Sequence, residues 1–274
     1  MQKTAIVILN YKTWQDTLAE AQLVHDLFEI DWSQIIIVDN ASPNESVVEL
    51  AKQTIGNYVF IKSHTNNGYA SGNNIGLRYA YENGFDYAWI LNNDILIDNK
   101  NVLSEMLRIF TEDSMVAAVS PDIFSPEGYL FNRNAKKRSV WDYTLGAYAY
   151  KKKGRTLQYK SGYGYIYRPQ GCCMLLDLQK MNEIHYLDEK TFLYFEEPIL
   201  AERLCRKQYT CACATNVSVI HNHSKTVKNN IQKWKIIQIQ SESFDYYLRE
   251  YRNFNILKRV ICLLFNAIEY VLLG

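Results

Sequence analysis

Asp39 and Asp94 each follow a short apolar run, in Val38-Asp39-Asn40-Ala41-Ser42 and Leu91-Asn92-Asn93-Asp94. An acid at such a place can accept from the N–H or hydroxyl groups of a nucleoside, or hold a metal ion against a diphosphate. It can also simply cap the helix that follows. Glu196 and Glu197 come after the apolar Phe192-Leu193-Tyr194-Phe195, at what reads as a strand end, and before Pro198. Two neighbouring carboxylates can supply a general base, and they equally suit the first turn of a helix that carries proline there. His221 and His223 end another apolar run and, in an extended chain, face the same way. The stretch from Asn66 to Gly76 gathers Asn66, Asn67, Asn73 and Asn74 around a helix start, where amides are suited to reading a ligand. Within it Gly68, Gly72 and Gly76, then Ala80, recur every fourth residue. That small-residue stripe permits close approach to a neighbouring strand or to a ligand.

The elements that must hold these groups follow from the hydrophobic pattern. Residues 4–9, 34–38, 58–61, 87–91 and 115–119 are short continuous apolar runs, the pattern of strands covered on both faces. Segments 13–28, 45–54, 71–83 and 101–110 have helical length and period between them. This βαβα rhythm predicts an α/β fold with a mostly parallel sheet flanked by helices, whose ligands bind beyond the carboxyl ends of the strands. Residues 143–167 are crowded with Tyr, Gly and Lys and show no period. Further on, 172–177 and 216–220 read as strands, and 179–186, 198–207, 233–251 and 256–273 as helices. On a helical wheel Lys258, Arg259, Cys262, Asn266 and Glu269 fall within an arc of about 100°. The rest of that helix is apolar, so it needs an apolar partner: its own core, a second subunit or a membrane surface.

The 274 residues carry a net charge of +1, and no global field advertises a nucleic-acid partner. Local basic clusters occur at Lys136-Lys137-Arg138, at Lys151-Lys152-Lys153 with Arg155, and among Lys225, Lys228, Lys233 and Lys235; each is as readily a solvated loop as a binding patch. Six cysteines lack the spacing of a zinc ribbon or disulfide scaffold, which predicts reduced, mostly buried thiols and a cytoplasmic setting. The N-terminal run is too short for a signal peptide and starts a strand directly. No stretch of apolar residues is long enough to predict a membrane span. Asn10-Tyr11-Lys12 follows the first strand in place of the glycine-rich G-x-G-x-x-G turn, which speaks against a dinucleotide-dependent dehydrogenase.

VDNAS, NNGYASGNNIG and LNND, in this order and spacing, resemble the family 2 glycosyltransferases of bacteria, especially the rhamnosyltransferase-like enzymes of polysaccharide assembly. Downstream, Gln170-Gly171-Cys172-Cys173-Met174-Leu175-Leu176 resembles that family's G-x-x-M-L strand. Leu187-Asp188-Glu189 with Phe192-Leu193-Tyr194-Phe195-Glu196-Glu197 resembles its F-D-E…F-x-Y-x-E-D segment. The resemblance implies a GT-A-type nucleotide-diphospho-sugar transferase fold over residues 1–225: a nucleotide-sugar-binding half (1–120), an acceptor-binding half (121–225), then a C-terminal helical extension (226–274). It implies inverting transfer from a UDP- or dTDP-sugar to a saccharide acceptor, lipid-linked in many relatives, with Mn2+ or Mg2+ as cofactor. Asp39 would hold the base or ribose, with Leu9, Asn10 and Tyr11 lining the base pocket. Asn67, Gly68, Asn73, Asn92 and Asn93 would line the rest of the donor site. Asp94 would bind the metal, helped by His221, because Asn92 replaces the first acid of the family's D-x-D. The second acid of the family's pair is its base, which puts Glu197 ahead of Glu196, although a Glu stands here for the usual Asp. Work on a lipid-linked acceptor would place the protein at the inner face of the membrane, touching it or a second subunit through the last helix. A non-catalytic module binding nucleotide or sugar is the competing reading; it would need Asp39 but not Asp94, Glu197 and His221.

Overall fold

The computed structural model describes residues 3–147, 157–222 and 233–273. His223 lies outside them, as do Lys151, Lys152, Lys153, Arg155, Lys225 and Lys228. One sheet organises the molecule. Its first four strands are parallel neighbours: β1 (Thr4–Asn10) lies between β2 (Ile35–Asp39) and β4 (Tyr87–Leu91), with β3 (Val59–Lys62) beyond β2. Along β1 alternate residues serve opposite cores. Ile6 and Ile8 pack on one face with Ile35 and Ile37, and Ala5 and Val7 pack on the other with Ile36 and Val38. All eight are fully buried, which is why the sequence shows unbroken apolar runs.

Helices α1 (Trp14–Phe28) and α4 (Val102–Glu112) cover the first face, and α3 (Tyr69–Glu82) covers the second, with α2 (Ser46–Ala51) following β2. The glycine stripe of α3 seats it on the sheet. A Cβ on Gly72 would lie 2.6 Å from Leu9 Cδ1, and one on Gly76 would lie 2.5 Å from Val7 Cγ1. The stripe therefore serves close helix–strand packing.

The second half is mixed in direction. Strand β9 (Cys173–Asp177) runs antiparallel between β4 and β6 (Val116–Phe124), and β10 (Thr210–His221) runs parallel to β6. The two-residue β5 (Ile95–Leu96) and the hairpin of β7 (Gln158–Lys160) and β8 (Tyr163–Ile166) complete the sheet. These directions bring three further segments to the rim formed by the ends of β1, β2 and β4: the residues before β9, the end of β10 and the loop after β4.

Helices α5 (Leu178–Glu183) and α6 (Glu196–Arg206) pack on the second face, and α7 (Lys233–Glu250) and α8 (Ile256–Leu273) follow. Ile199 of α6 shares one apolar cluster with Phe244, Tyr247 and Leu248 of α7 and Cys262 of α8. In α8 part of the polar arc, Arg259, Cys262 and Asn266, points inward, while Lys258 is exposed. Cys262 is fully buried, and Arg259 makes paired hydrogen bonds of 2.7 and 2.5 Å to Asp245. Ile256, Leu257, Val260, Ile261, Leu264 and Ile268 are left exposed. Among the described residues no helix is long and apolar enough to cross a membrane. All six cysteines are free and all but Cys205 are buried.

Candidate active site

At the rim, Asp94 and His221 meet because β5 pairs antiparallel with β10, setting Ile95 opposite His221. The Asn222 N–H donates to the Asp94 carbonyl at 3.0 Å and closes that turn. His221 Nε2 lies 3.2 Å from Asp94 Oδ1, and the two side chains are only 13% and 14% exposed. Asp94 Oδ1 is buried and accepts no hydrogen bond. A sheltered carboxylate oxygen beside an imidazole nitrogen fits two of the ligands of a hard or borderline divalent cation. Among the described residues no third His, Cys, Asp or Glu joins them, so further ligands would come from the oxygens of a bound diphosphate.

Asp39, Asn10 and Asn93 belong to one buried polar chain. Asn10 Nδ2 donates to Asp39 Oδ2 at 2.7 Å, and the Ser42 N–H donates to Asp39 Oδ1 at 2.9 Å. Thr17 Oγ1 donates to Asn10 Oδ1 at 2.9 Å and accepts from Asn93 Nδ2 at 2.8 Å. The chain ties the ends of β1, β2 and β4 to the start of α1. Asp39 and Asn10 are fully buried, so both brace the rim from beneath, whereas Tyr11 is half-exposed in the loop above, with the Lys12 ammonium 5.0 Å from its ring centre. Thr17 was not singled out in the sequence; a threonine inside an apolar helical face was its signal.

The asparagines around Gly68 divide their work. Asn40 Nδ2 reaches Asn66 Oδ1 and the Gly68 carbonyl, at 3.1 and 3.2 Å. Asn74 is a brace: it donates to the Leu187 carbonyl and Glu189 Oε1 and accepts from the Leu187 N–H, all within 3.0 Å. Asn73 is fully buried with its amide on the Tyr69 carbonyl, and Asn67 is exposed with its amide on Thr65. Neither side chain joins the cavity described below. Gly68 has φ +97°, and a Cβ there would fall 2.0 Å from the Phe192 carbonyl oxygen. That carbonyl accepts from the Tyr69 N–H at 2.9 Å, so the loop before α3 is fastened to the loop before the acidic pair.

Glu196 and Glu197 open α6. The preceding residues do not form the expected strand, because Tyr194 and Phe195 take left-handed backbone conformations, φ 73° and 68°, which turn the chain sharply into the helix. Glu196 is 6% exposed, and its Oε1 accepts no hydrogen bond. Burial, then the neighbouring charge of Glu197, pushes its carboxyl up to about 8. Glu197 is differently placed. Its Oε1 accepts from the Gly171 N–H at 3.1 Å, and its Oε2 lies 3.7 Å from Arg168 Nη1.

One cavity of about 630 Å3 joins the two ends of the site. Asn92 and His221 line it at the sheet rim, Glu196 and Glu197 line it at the start of α6, and Tyr69, Gln170 and Gly171 lie between. Its outer wall comes from residues the sequence did not assign to the site: Arg138, Tyr143, Tyr167 and Arg168, with Gln240 and Phe244 of α7 and Asn266 of α8. Lys137 bonds Glu202 at 2.7 Å, and Arg138 lies over Tyr143 with 5.5 Å to the ring centre. Of the first basic cluster, Arg138 is built into the wall, while Lys136 and Lys137 stay exposed. A wall rich in hydroxyl, amide and aromatic groups suits a polar ligand with apolar ring faces, such as a sugar.

Three comparisons bear on this arrangement. The chain is 27% identical, over 223 residues, to the low-salt glycan biosynthesis hexosyltransferase Agl10 of Haloferax volcanii; the match covers 80% of this chain and 66% of that protein. A mannosyltransferase from Pyrobaculum calidifontis, solved with GDP-Man and Mn2+, superposes on 99% of this chain and 70% of its own, with a TM-score of 0.59 at 13% identity. GalNAc-T7, solved with UDP, GalNAc and Mn2+, superposes on 98% of this chain and 55% of its own, with a TM-score of 0.61 at 12% identity. These solved structures share the fold, an α/β GT-A arrangement with a mixed sheet. The model of "Glycosyl transferase family 2" matches residues 6–179, well over half of the chain, and the chain belongs to that family.

Proposed function

We propose that this protein is an inverting, metal-dependent hexosyltransferase that takes its sugar from a UDP- or dTDP-sugar and passes it to a saccharide acceptor. The observation that carries this is one cavity lined at one end by His221, which has Asp94 3.2 Å behind it, and at the other by Glu196 and Glu197. The hexosyltransferase from Haloferax and the Mn2+-bound transferases of the same fold support the same direction.

Asp94 and His221 would hold a divalent cation, which supplies positive charge to the departing diphosphate. The nucleoside lies over the rim loops that Asp39 and Asn10 brace, with Tyr11 above them. The acceptor hydroxyl enters from the side of Tyr143, Tyr167 and Phe244. Glu197 removes its proton as the oxygen attacks the anomeric carbon, opposite the leaving nucleoside diphosphate. Glu197 is a better base than Glu196 at neutral pH, because Glu196 there retains its own proton.

The C-terminal helix supports an acceptor carried on a lipid and contact with the inner face of the membrane, as in cell-surface polysaccharide synthesis. Asn266 lines the cavity, while another face of the helix exposes six aliphatic side chains. An apolar face beside the acceptor wall suits the surface of a bilayer. Turnover of a panel of UDP- and dTDP-hexoses, with and without Mn2+, tests the function, with the anomeric configuration of the product read by NMR. Metal-dependent transfer with inversion is expected. Tight nucleotide binding without turnover under any condition would favour the binding module instead.

A further inference from the structure

Glu197 is held from one short segment. Residues 168–171 lead into β9, and three of their groups converge on its carboxylate. The Gly171 N–H donates to Oε1 at 3.1 Å, Gln170 Nε2 donates to Oε1 at 3.4 Å, and Arg168 Nη1 lies 3.7 Å from Oε2. The adjacent Glu196 has a buried Oε1 that accepts no hydrogen bond. The segment is itself pinned from the donor side, because Tyr69 Oη donates to the Gly171 carbonyl at 2.6 Å. A Cβ on Gly171 would sit 3.2 Å from Glu197 Oε1 and 3.3 Å from Tyr69 Oη, so the approach is close on both sides.

Two adjacent carboxylates at one helix start repel each other, and whichever is ionised is decided by what faces it. Arg168 lies within ion-pairing distance of Glu197, at a site where their side chains are only 26% and 17% exposed. A guanidinium keeps its charge at every working pH and fixes a carboxylate's direction as well as its charge. We propose that Arg168 is a positioning residue: it orients the Glu197 carboxylate into the cavity. This rests on the assignment of Glu197 as the base. Through Gly171 and Tyr69 it also links that base to the loop before α3 on the donor side.

The test is a double-mutant cycle in the full chain, with turnover read as release of UDP or dTDP from the hexose donor that the panel identifies. R168Q is expected to lower kcat on the order of 10–100-fold, less than the 10²–10⁴ of a positioned base, with donor KM changed by no more than about twofold. R168K, which keeps charge but not the planar fork, recovers part of the loss. In an E197Q background R168Q changes turnover by less than about twofold, because the carboxylate it pairs with has gone. If the R168Q loss falls on donor KM, the guanidinium serves the diphosphate and the proposal is overturned. Fully additive losses in R168Q/E197Q overturn it too. Wild-type turnover in E197Q removes the base assignment itself, whereas loss in E197Q beside wild-type turnover in R168Q and R168K overturns the positioning role alone.

Discussion

Replacing Glu196 by Gln should make this protein more stable at neutral pH. In the unfolded chain Glu196 ionises near its ordinary value of 4.5, whereas the fold raises it to about 8. Between those values the folded state binds the extra proton, so stability falls as pH rises from about 4.5 to about 8 and is then level. This is opposite in sign to an ion-paired carboxylate. At 1.36 kcal/mol per pH unit, the cost at pH 7 reaches about 3 kcal/mol. Gln keeps the shape and can accept the backbone hydrogen bonds, but it has no proton to take up. E196Q should therefore gain about 1–3 kcal/mol over the wild type at pH 7.5 and almost nothing at pH 4.5. Urea unfolding at both pH values measures the difference directly. E197Q should narrow it, since the charge of Glu197 is the second cause of the shift. A wild type as stable as E196Q at pH 7.5, or a gain of equal size at both pH values, would refute the reasoning.

Two further outcomes follow from packing. N74A removes three hydrogen bonds that a fully buried amide makes to Leu187 and Glu189, and should cost about 2–4 kcal/mol in urea unfolding; a loss below about 0.5 kcal/mol would show that the brace is dispensable. In α8, Leu264 and Ile268 are 58% and 54% exposed, so L264E/I268E should leave the melting temperature unchanged while abolishing sedimentation with anionic vesicles. Aggregation or unfolding of that variant would place the face inside the protein's own core.

Much of the fold was legible because burial on both faces of β1 and β2 erases alternation, and that is what makes a run such as Ile35-Ile36-Ile37-Val38 read as a strand. His221 was legible as a group at a strand end. Long-range pairing was not. The two residues of β5 are too few to show a period, yet they bring Asp94 to His221. The hairpin of β7 and β8 hides in a stretch of Tyr, Gly and Lys whose order comes from pairing with β10. Asn74 looked like a ligand-reading amide because sequence shows its type and not its partners. Arg168 carried no local signal, since its partner arrives from another element. In α8 the wheel grouped Arg259, Cys262 and Asn266, but their inward direction depends on Asp245 and the cavity, which only the packed helices supply.

The central claim is that Asp94 and His221 hold a divalent cation against the donor's diphosphate. Calorimetric titration of UDP and dTDP into the wild type, D94A and H221A, with and without Mn2+, tests it most directly. Mn2+ should strengthen nucleotide binding to the wild type, have no effect on D94A and a smaller effect on H221A, since a neutral imidazole neutralises no charge. Equal Mn2+-dependent affinity in the wild type and D94A would contradict the account.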